Sequence, residues 1–280
     1  VEDGFEVRDP ADAQAVAGID FVAGDRGAFG DVAGGDADAE VGERLDDRRL
    51  GLAQRMLVGG RAAKHIVVST FHSLGVRLLR ADGERIGLKP TFSILDSDDV
   101  LGVLRDAGGT TDANLARRWQ WAISLWKNQG LDAAAAEGAA ENDDERVAAR
   151  VMKRYEERLS AYQAVDFDDL IGLPLALLQR DEEARNKWRA TFLHVLVDEY
   201  QDTNFVQEEL VLRLARPQMN VAVVGDEDQA LYRFRGATVR NILEFPTRFE
   251  TCAQETLSIN YRSHERIIGA YDRWMASAEW

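Results

Sequence analysis

Phe192-Leu193-His194-Val195-Leu196-Val197-Asp198-Glu199-Tyr200-Gln201-Asp202 decides the fold of this chain. An apolar run of strand length ends abruptly in carboxylates. Further along, Val221-Ala222-Val223-Val224 repeats the pattern and leads into Gly225-Asp226-Glu227-Asp228-Gln229. Short apolar runs bounded by polar turns read as buried strands of a parallel sheet. In open parallel sheets ligands gather at the carboxyl ends of the strands, and both acidic clusters fall there. Two such ends describe the floor of a nucleotide-hydrolysing site.

The chemistry follows from the residue types. Mg²⁺ takes hard oxygen ligands and keeps several waters, so an aspartate at a strand end can hold it through that shell. A neighbouring glutamate can orient and polarise an attacking water, because phosphoryl transfer rests mainly on positioning and charge stabilisation. Asp198 is thus the candidate metal ligand and Glu199 the candidate base. Alone, the pair fits an acidic loop after a buried strand equally well; Gln201, Asp202 and the second cluster favour the site. Gly225 would let the chain turn sharply, and Gln229 is a neutral hydrogen-bonder able to sense a terminal phosphate. Tyr232-Arg233-Phe234-Arg235 interleaves aromatics with cations, as stacking and phosphate contact on single strands require. By itself that stretch also reads as a loop with a partly buried aromatic.

Working outward, His65 to Thr70 reads as a β-branched strand and Phe71 to Arg80 as a helix with Leu74, Leu78 and Leu79 on one side. Residues 96–164 read as helical, starting from Asp96-Ser97-Asp98-Asp99. Asp166 can cap a further helix through Leu178, and another helix lies near 205–215. The order strand–helix, helical block, strand–helix–strand predicts an α/β fold with a parallel sheet and an inserted helical subdomain. Trp119, Trp121 and Trp126 are expected in the core of that insertion. Arg117 and Arg118 fit a solvated face or phosphate contacts, and the sequence does not choose. Residues 1–60 hold 11 of the 23 glycines. At that density the backbone entropy cost predicts a poorly ordered head, with a helix near 43–57.

Composition narrows the classes. The formal charge of −15 argues against unspecific nucleic-acid binding, but a disproportionate share of it lies in the head. A single cysteine, Cys252, excludes an internal disulfide and fits a reducing cytoplasm. No apolar run is long enough to span a membrane, and no signal peptide or zinc spacing is read.

Taken together, Ser69-Thr70-Phe71-His72-Ser73-Leu74-Gly75, Val165-Asp166-Phe167-Asp168-Asp169-Leu170, Val197 to Asn204, Val224 to Ala237 and Asn260-Tyr261-Arg262-Ser263 resemble the UvrD/Rep family of superfamily 1 DNA helicases. Ile123-Ser124-Leu125-Trp126-Lys127-Asn128 adds to the likeness, which covers residues 61–280. The resemblance implies a RecA-like sheet of the P-loop NTPase type. Its first motor domain would be residues 61–82 plus 165–270, with a helical subdomain at 83–164 and a C-terminal end at 271–280. It implies ATP as substrate, Mg²⁺, single-stranded DNA as partner, and unwinding and translocation from 3′ to 5′. Asp198 would bind Mg²⁺, Glu199 would be the base and Gln229 would contact the γ-phosphate. Tyr261 would stack on adenine and Arg262 would be an arginine finger, a pair that alone reads as an ordinary surface dipeptide. Thr70, Phe71, His72, Tyr232, Phe234 and Arg235 would touch DNA. Phe234 stands where the family has tryptophan, while Glu227 and Ala230 replace its commoner Asp and Ser.

The sequence departs from the family at the phosphate-binding loop. No Gly-Lys-Ser or Gly-Lys-Thr occurs, although the family cradles phosphates with G-x-x-x-x-G-K-[ST]. The Thr-Asn-Lys-Ala-Ala-like segment is also absent, and the second motor domain does not follow Asn260-Tyr261-Arg262-Ser263. The expectation is a partial or degenerate helicase, inactive alone, whose head is an out-of-frame reading. The rivals are a non-catalytic single-strand binding module and one half of a split helicase completed by a second polypeptide.

Overall fold

The computed structural model describes the backbone of residues 16–19, then residues 67–217, 219–229, 240–249, 251–261 and 263–277, with side chains in the last segment to Trp274. Along the chain, β1 (Val16–Ile19) and β2 (Val67–Ser69) precede α1 (Phe71–Asp82). The short strand β3 (Ser93–Ile94) opens a helical block of α2 (Ser97–Gly108), α3 (Ala113–Asn128), α4 (Ala133–Ala139) and α5 (Asp143–Tyr162), which β4 (Ala164–Val165) closes. Then come α6 (Asp169–Arg180), α7 (Glu182–Thr191), β5 (His194–Val197), α8 (Phe205–Ala215), β6 (Val221–Val223), α9 (Arg240–Glu244) and α10 (Glu265–Ser277).

The main sheet runs β2-β1-β5-β6, with every pairing parallel. This is a helix-rich α/β fold with small parallel sheets. β1 sits at its centre, inside the segment read as a poorly ordered head. Val16-Ala17-Gly18-Ile19 is a four-residue apolar run, too short to stand out among the surrounding Asp, Ala and Gly. The helix expected near 43–57 lies outside the described residues. Val195 and Val197 of β5 are buried while His194 and Leu196 are exposed, so helices cover one face. That corrects the reading of β5 as a fully buried strand. Phe71, Leu74 and Leu78 of α1, Leu175 and Leu178 of α6, and Val206 and Leu210 of α8 pack with Val195 and Val197 as the core. Helix α1 approaches α6 so closely that a Cβ on Gly75 would lie 1.7 Å from the Leu170 carbonyl oxygen.

The inserted block has its own core. Trp119, Ile123 and Trp126 of α3 meet Leu104 of α2 and Met152, Tyr155 and Leu159 of α5. Trp121 is 65% exposed and is not part of it, which corrects the grouping of the three tryptophans. It follows Gln120 on the opposite side of α3 from Trp119 and Trp126, where the helical period leaves it in solvent. Asp96 caps α2 by accepting the Asp99 N–H at 2.7 Å, as its sequence predicts.

Two features tie the block to the body. β3 and β4 pair in parallel where the chain leaves and returns. Beneath them, Lys127 at the end of α3 is buried and ion-paired to Asp166 (2.6 Å) and Asp169 (2.7 Å). The Asp166 Oδ2 also accepts the Tyr155 hydroxyl, and its Oδ1 accepts the Asp169 N–H that opens α6. Asn128 continues the seam, donating to Asp168 Oδ1 at 2.8 Å and accepting from Asn204, the N-cap of α8. Burial, then repulsion from Asp166, pushes Asp169 up to about 7 and Asp168 up to about 6. Against that same burial, Lys127 holds Asp166 below the usual carboxylate range.

Removing one partner from such a cluster leaves uncompensated buried charge. Lys127→Met is expected to cost roughly 3–5 kcal/mol in denaturant unfolding. Arg150→Ala, which breaks an exposed pair with Glu137, should cost under about 1 kcal/mol. Equal effects would remove the special standing of the seam.

Candidate active site

The ends of β5 and β6 are joined beyond their strands. The Val224 N–H donates to the Val197 carbonyl at 2.8 Å, and the Tyr200 N–H donates to the Val224 carbonyl at 2.9 Å. This sets the Asp198–Asp202 turn directly beside the Gly225–Gln229 turn. Gln201, 1% exposed, bridges them. Its Nε2 donates to Glu199 Oε2 at 2.7 Å, and its Oε1 accepts the Asp226 N–H at 3.0 Å.

That bridge explains Gly225. A Cβ there would lie 2.6 Å from Gln201 Oε1 and 2.5 Å from Ile242 Cδ1. Gly225 is not among the glycines with positive φ. Space for Gln201, rather than the sharp turn expected from sequence, is what requires glycine. Backbone strain sits instead at Glu199, whose φ of 50° and ψ of 43° place a non-glycine residue in the left-handed region. Such strain costs about 1–2 kcal/mol and clusters where side-chain aim matters.

Asp198 and Glu199 are both half-buried. Asp198 Oδ1 accepts the Glu199 N–H at 3.0 Å, leaving Oδ2 for other partners. Asp202 is buried, and its Oδ1 has no hydrogen-bond partner. Burial, then the neighbouring Glu199, pushes its carboxyl up to about 6. Gln229 is exposed and folds onto Asp226, donating from Nε2 to Oδ2 at 2.6 Å. The Tyr271 hydroxyl of α10 donates to the Asp228 carbonyl at 3.2 Å, so α10 touches the same turn. These oxygens form a hard donor set, and the orphaned Asp202 oxygen beside Glu199 adds to it. Among the described residues no group of three or more acids, His or Cys encloses a metal. The set therefore fits an ion held by one carboxylate, its own waters and a substrate's phosphates, as Mg²⁺ is.

The remaining candidates divide. Thr70 is buried and spends its hydroxyl as the N-cap of α1, accepting the Ser73 N–H at 3.2 Å. Phe71, expected from the resemblance to touch DNA, is wholly buried in the main core, with no ring face open to a ligand. Its spacing to Leu74 and Leu78 already marked the buried side of α1. His72 stacks on Phe167, with ring centroids 3.7 Å apart. Burial pushes its imidazole down to about 3, so it is neutral near pH 7. The exposed aromatic face here belongs to Phe167, at 51%. Sequence reasoning quoted Phe167 within a motif but gave it no role. Tyr261 is 89% exposed. Arg262, Tyr232, Phe234 and Arg235 lie outside the described residues.

The Asp202 environment yields a pH dependence. Its folded value near 6 exceeds the ordinary 3.8, so the folded state holds the extra proton between them. Stability therefore falls as pH rises through that window, and the penalty is complete above about pH 6. Asp202→Asn should raise unfolding stability at about pH 8 by roughly 1–2 kcal/mol. The gain should vanish below about pH 4. A gain independent of pH would mean that the carboxylate charge is not its source.

The description "UvrD/REP helicase N-terminal domain" matches residues 35–250. The chain is 37% identical over 216 residues to the ATP-dependent DNA helicase Rep of Escherichia coli, covering 76% of this chain and 32% of that protein. It is 42% identical over 226 residues to the ATP-dependent DNA helicase UvrD1 of Mycobacterium bovis, covering 75% and 29%. Against the ATP-dependent DNA helicase PcrA of Staphylococcus epidermidis it is 38% identical over 215 residues, covering 75% and 30%. The chain thus spans about a third of the length of these relatives. With two strand-end acidic turns bridged by Gln201 and a family match across most of its length, the chain belongs to the UvrD/REP helicase N-terminal domain family.

Proposed function

We propose that this chain is the first-motor-domain part of an ATP-dependent DNA helicase that translocates 3′ to 5′ on single-stranded DNA. The observation that carries the proposal is the Gln201 bridge, which holds Glu199 against the Asp226 turn at adjoining strand ends. A RecA-like sheet of the P-loop NTPase type accounts for the parallel order and for the acids at its carboxyl edge.

Within that reading each residue has a task. With Glu199 Oε2 occupied by Gln201, Oε1 is left to take a proton from an attacking water. Asp198 would hold Mg²⁺ through Oδ2, and the ion supplies charge neutralisation to the transferring phosphoryl group. Gln229, on the exposed turn that Asp226 organises, would meet the γ-phosphate. Tyr261 and Arg262 would serve adenine and γ-phosphate. Single-stranded DNA would stack on Phe167, with His72 supporting its ring from behind, and would meet Tyr232, Phe234 and Arg235 further along the chain. The chain contains no Gly-Lys-Ser or Gly-Lys-Thr to hold the phosphates. By itself it is therefore expected to act as a partial copy with negligible ATPase.

Two measurements test this. A Mg²⁺-ATP turnover assay of the isolated chain should show no single-strand-stimulated hydrolysis; a strongly stimulated rate that Glu199→Gln abolishes would overturn the inactive reading. Phe167→Ala should weaken binding of a dT oligonucleotide by about tenfold, the worth of one stacked base, with an unchanged circular dichroism spectrum. Unchanged affinity would remove Phe167 from the DNA path.

A further inference from the structure

At the end of the sheet opposite the acidic turns, the sequence gathers arginines. Arg189 lies in the last turn of α7, Arg216 caps the end of α8, and Arg248 follows α9. With Pro217, Met219, Phe249 and Thr251 they line a cleft of about 610 Å³. Met219 precedes the start of β6, and α7 leads into the start of β5. The cleft therefore belongs to the amino ends of the strands.

The cationic surplus there is only partly accounted for. Arg248 pairs with the buried Glu208 at 2.7 Å and lies 3.6 Å from Glu244, and Arg213 lies 3.7 Å from Glu209. Arg185 and Arg189 donate to carbonyls near helix ends, to Leu178 at 3.0 Å and Arg213 at 2.7 Å. Such placement complements helix dipoles, yet it cancels no full charge. Among the described residues, Arg189 and Arg216 have no carboxylate within ion-pair distance. Burial, then the like charges of Arg185, Arg213 and Arg216, lowers the proton affinity of Arg189, the mark of crowded guanidinium groups. On a chain of charge −15 this is a local reversal of sign. Its floor is apolar: Phe249 packs on Phe245 with centroids 4.5 Å apart, and Met219 and Pro217 lie beside it.

We propose that this cleft is a docking site for an acidic peptide segment carrying one aromatic or aliphatic side chain. Guanidinium groups at the rim would grip Asp or Glu in fork geometry, while the apolar side chain sits on Phe249 and Met219. A single strand of nucleic acid would also offer phosphates to the guanidinium groups and a base to Phe249, so the test separates the two occupants. A cleft of about 610 Å³ takes a few side chains. Phe167, the described candidate for stacking DNA, does not line this cleft. The site adds to the proposed function without depending on it.

Fluorescence anisotropy with a labelled peptide, one Phe flanked by Asp and Glu, tests the proposal on the full chain. Arg216 is exposed and, among the described residues, its side chain makes no hydrogen bond or ion pair, so Arg216→Glu is the primary variant and Arg189→Gln the second. Expected is saturable, salt-sensitive binding that weakens about tenfold in Arg216→Glu. It should weaken several-fold when the peptide Phe becomes Ala, while affinity for oligothymidylate stays unchanged. Peptide binding that ignores both arginine variants, or that ignores loss of the Phe, overturns the proposal. So does a loss of oligothymidylate affinity in Arg216→Glu as large as the peptide's, which would make the cleft a nucleic-acid contact instead.

Discussion

A lysine ion-paired to two aspartates ties the inserted helices to the rest of this protein. Lys127 comes from the inserted helices, and Asp166, Asp168 and Asp169 come from the turn that opens α6. Water is largely excluded, so the ion pairs act through a low effective dielectric and each lost partner is felt strongly. The cluster also spends its oxygens on backbone: Asp166 and Asp169 cap one another's N–H groups. Geometry of the helix start and charge of the seam are therefore one feature. Through Asn128 and Asn204 that feature reaches the N-cap of α8, the element that immediately follows the acidic turn.

From that anchor the site is built by short-range constraints. The cap at Asn204, with its reciprocal Gln207 contact, fixes where α8 begins. Thr203 and Tyr200 are then held by Asn241 and by the Val224 carbonyl. What remains between β5 and α8 has little freedom, and Glu199 accepts a left-handed backbone as a result. Gln201 then converts two separate turns into one surface. An amide suits this place, because it must donate to a carboxylate on one side and accept a backbone N–H on the other.

Much of this was legible in sequence because it is local. The apolar runs before Asp198 and Gly225, the Asp96 cap and the α8 helix over 205–215 each follow from patterns within one element. Two matters were not. β1 is a four-residue run whose neighbours carry no strand signal, and only pairing with β2 and β5 identifies it. Lys127 and its aspartates are distant in sequence, so nothing local announces their meeting. Phe71 and Phe167 were distinguishable in principle, since the Phe71, Leu74, Leu78 spacing assigns Phe71 to the core.

The acidic half of the site is positioned by contacts from within the chain. Every contact that positions Glu199 is internal: Gln201, the Asp198 carboxylate and the Val224 carbonyl are all supplied by the chain. The cost is equally internal, in the strained Glu199 backbone and the unpartnered Asp202 oxygen. These internal contacts make the carboxylates a preorganised frame. Preorganisation is what phosphoryl transfer draws on, but only when the phosphates are also held. The carboxylate frame and the phosphate grip are thus separable in physical terms, and the first can persist in a chain whose second is supplied poorly or from elsewhere.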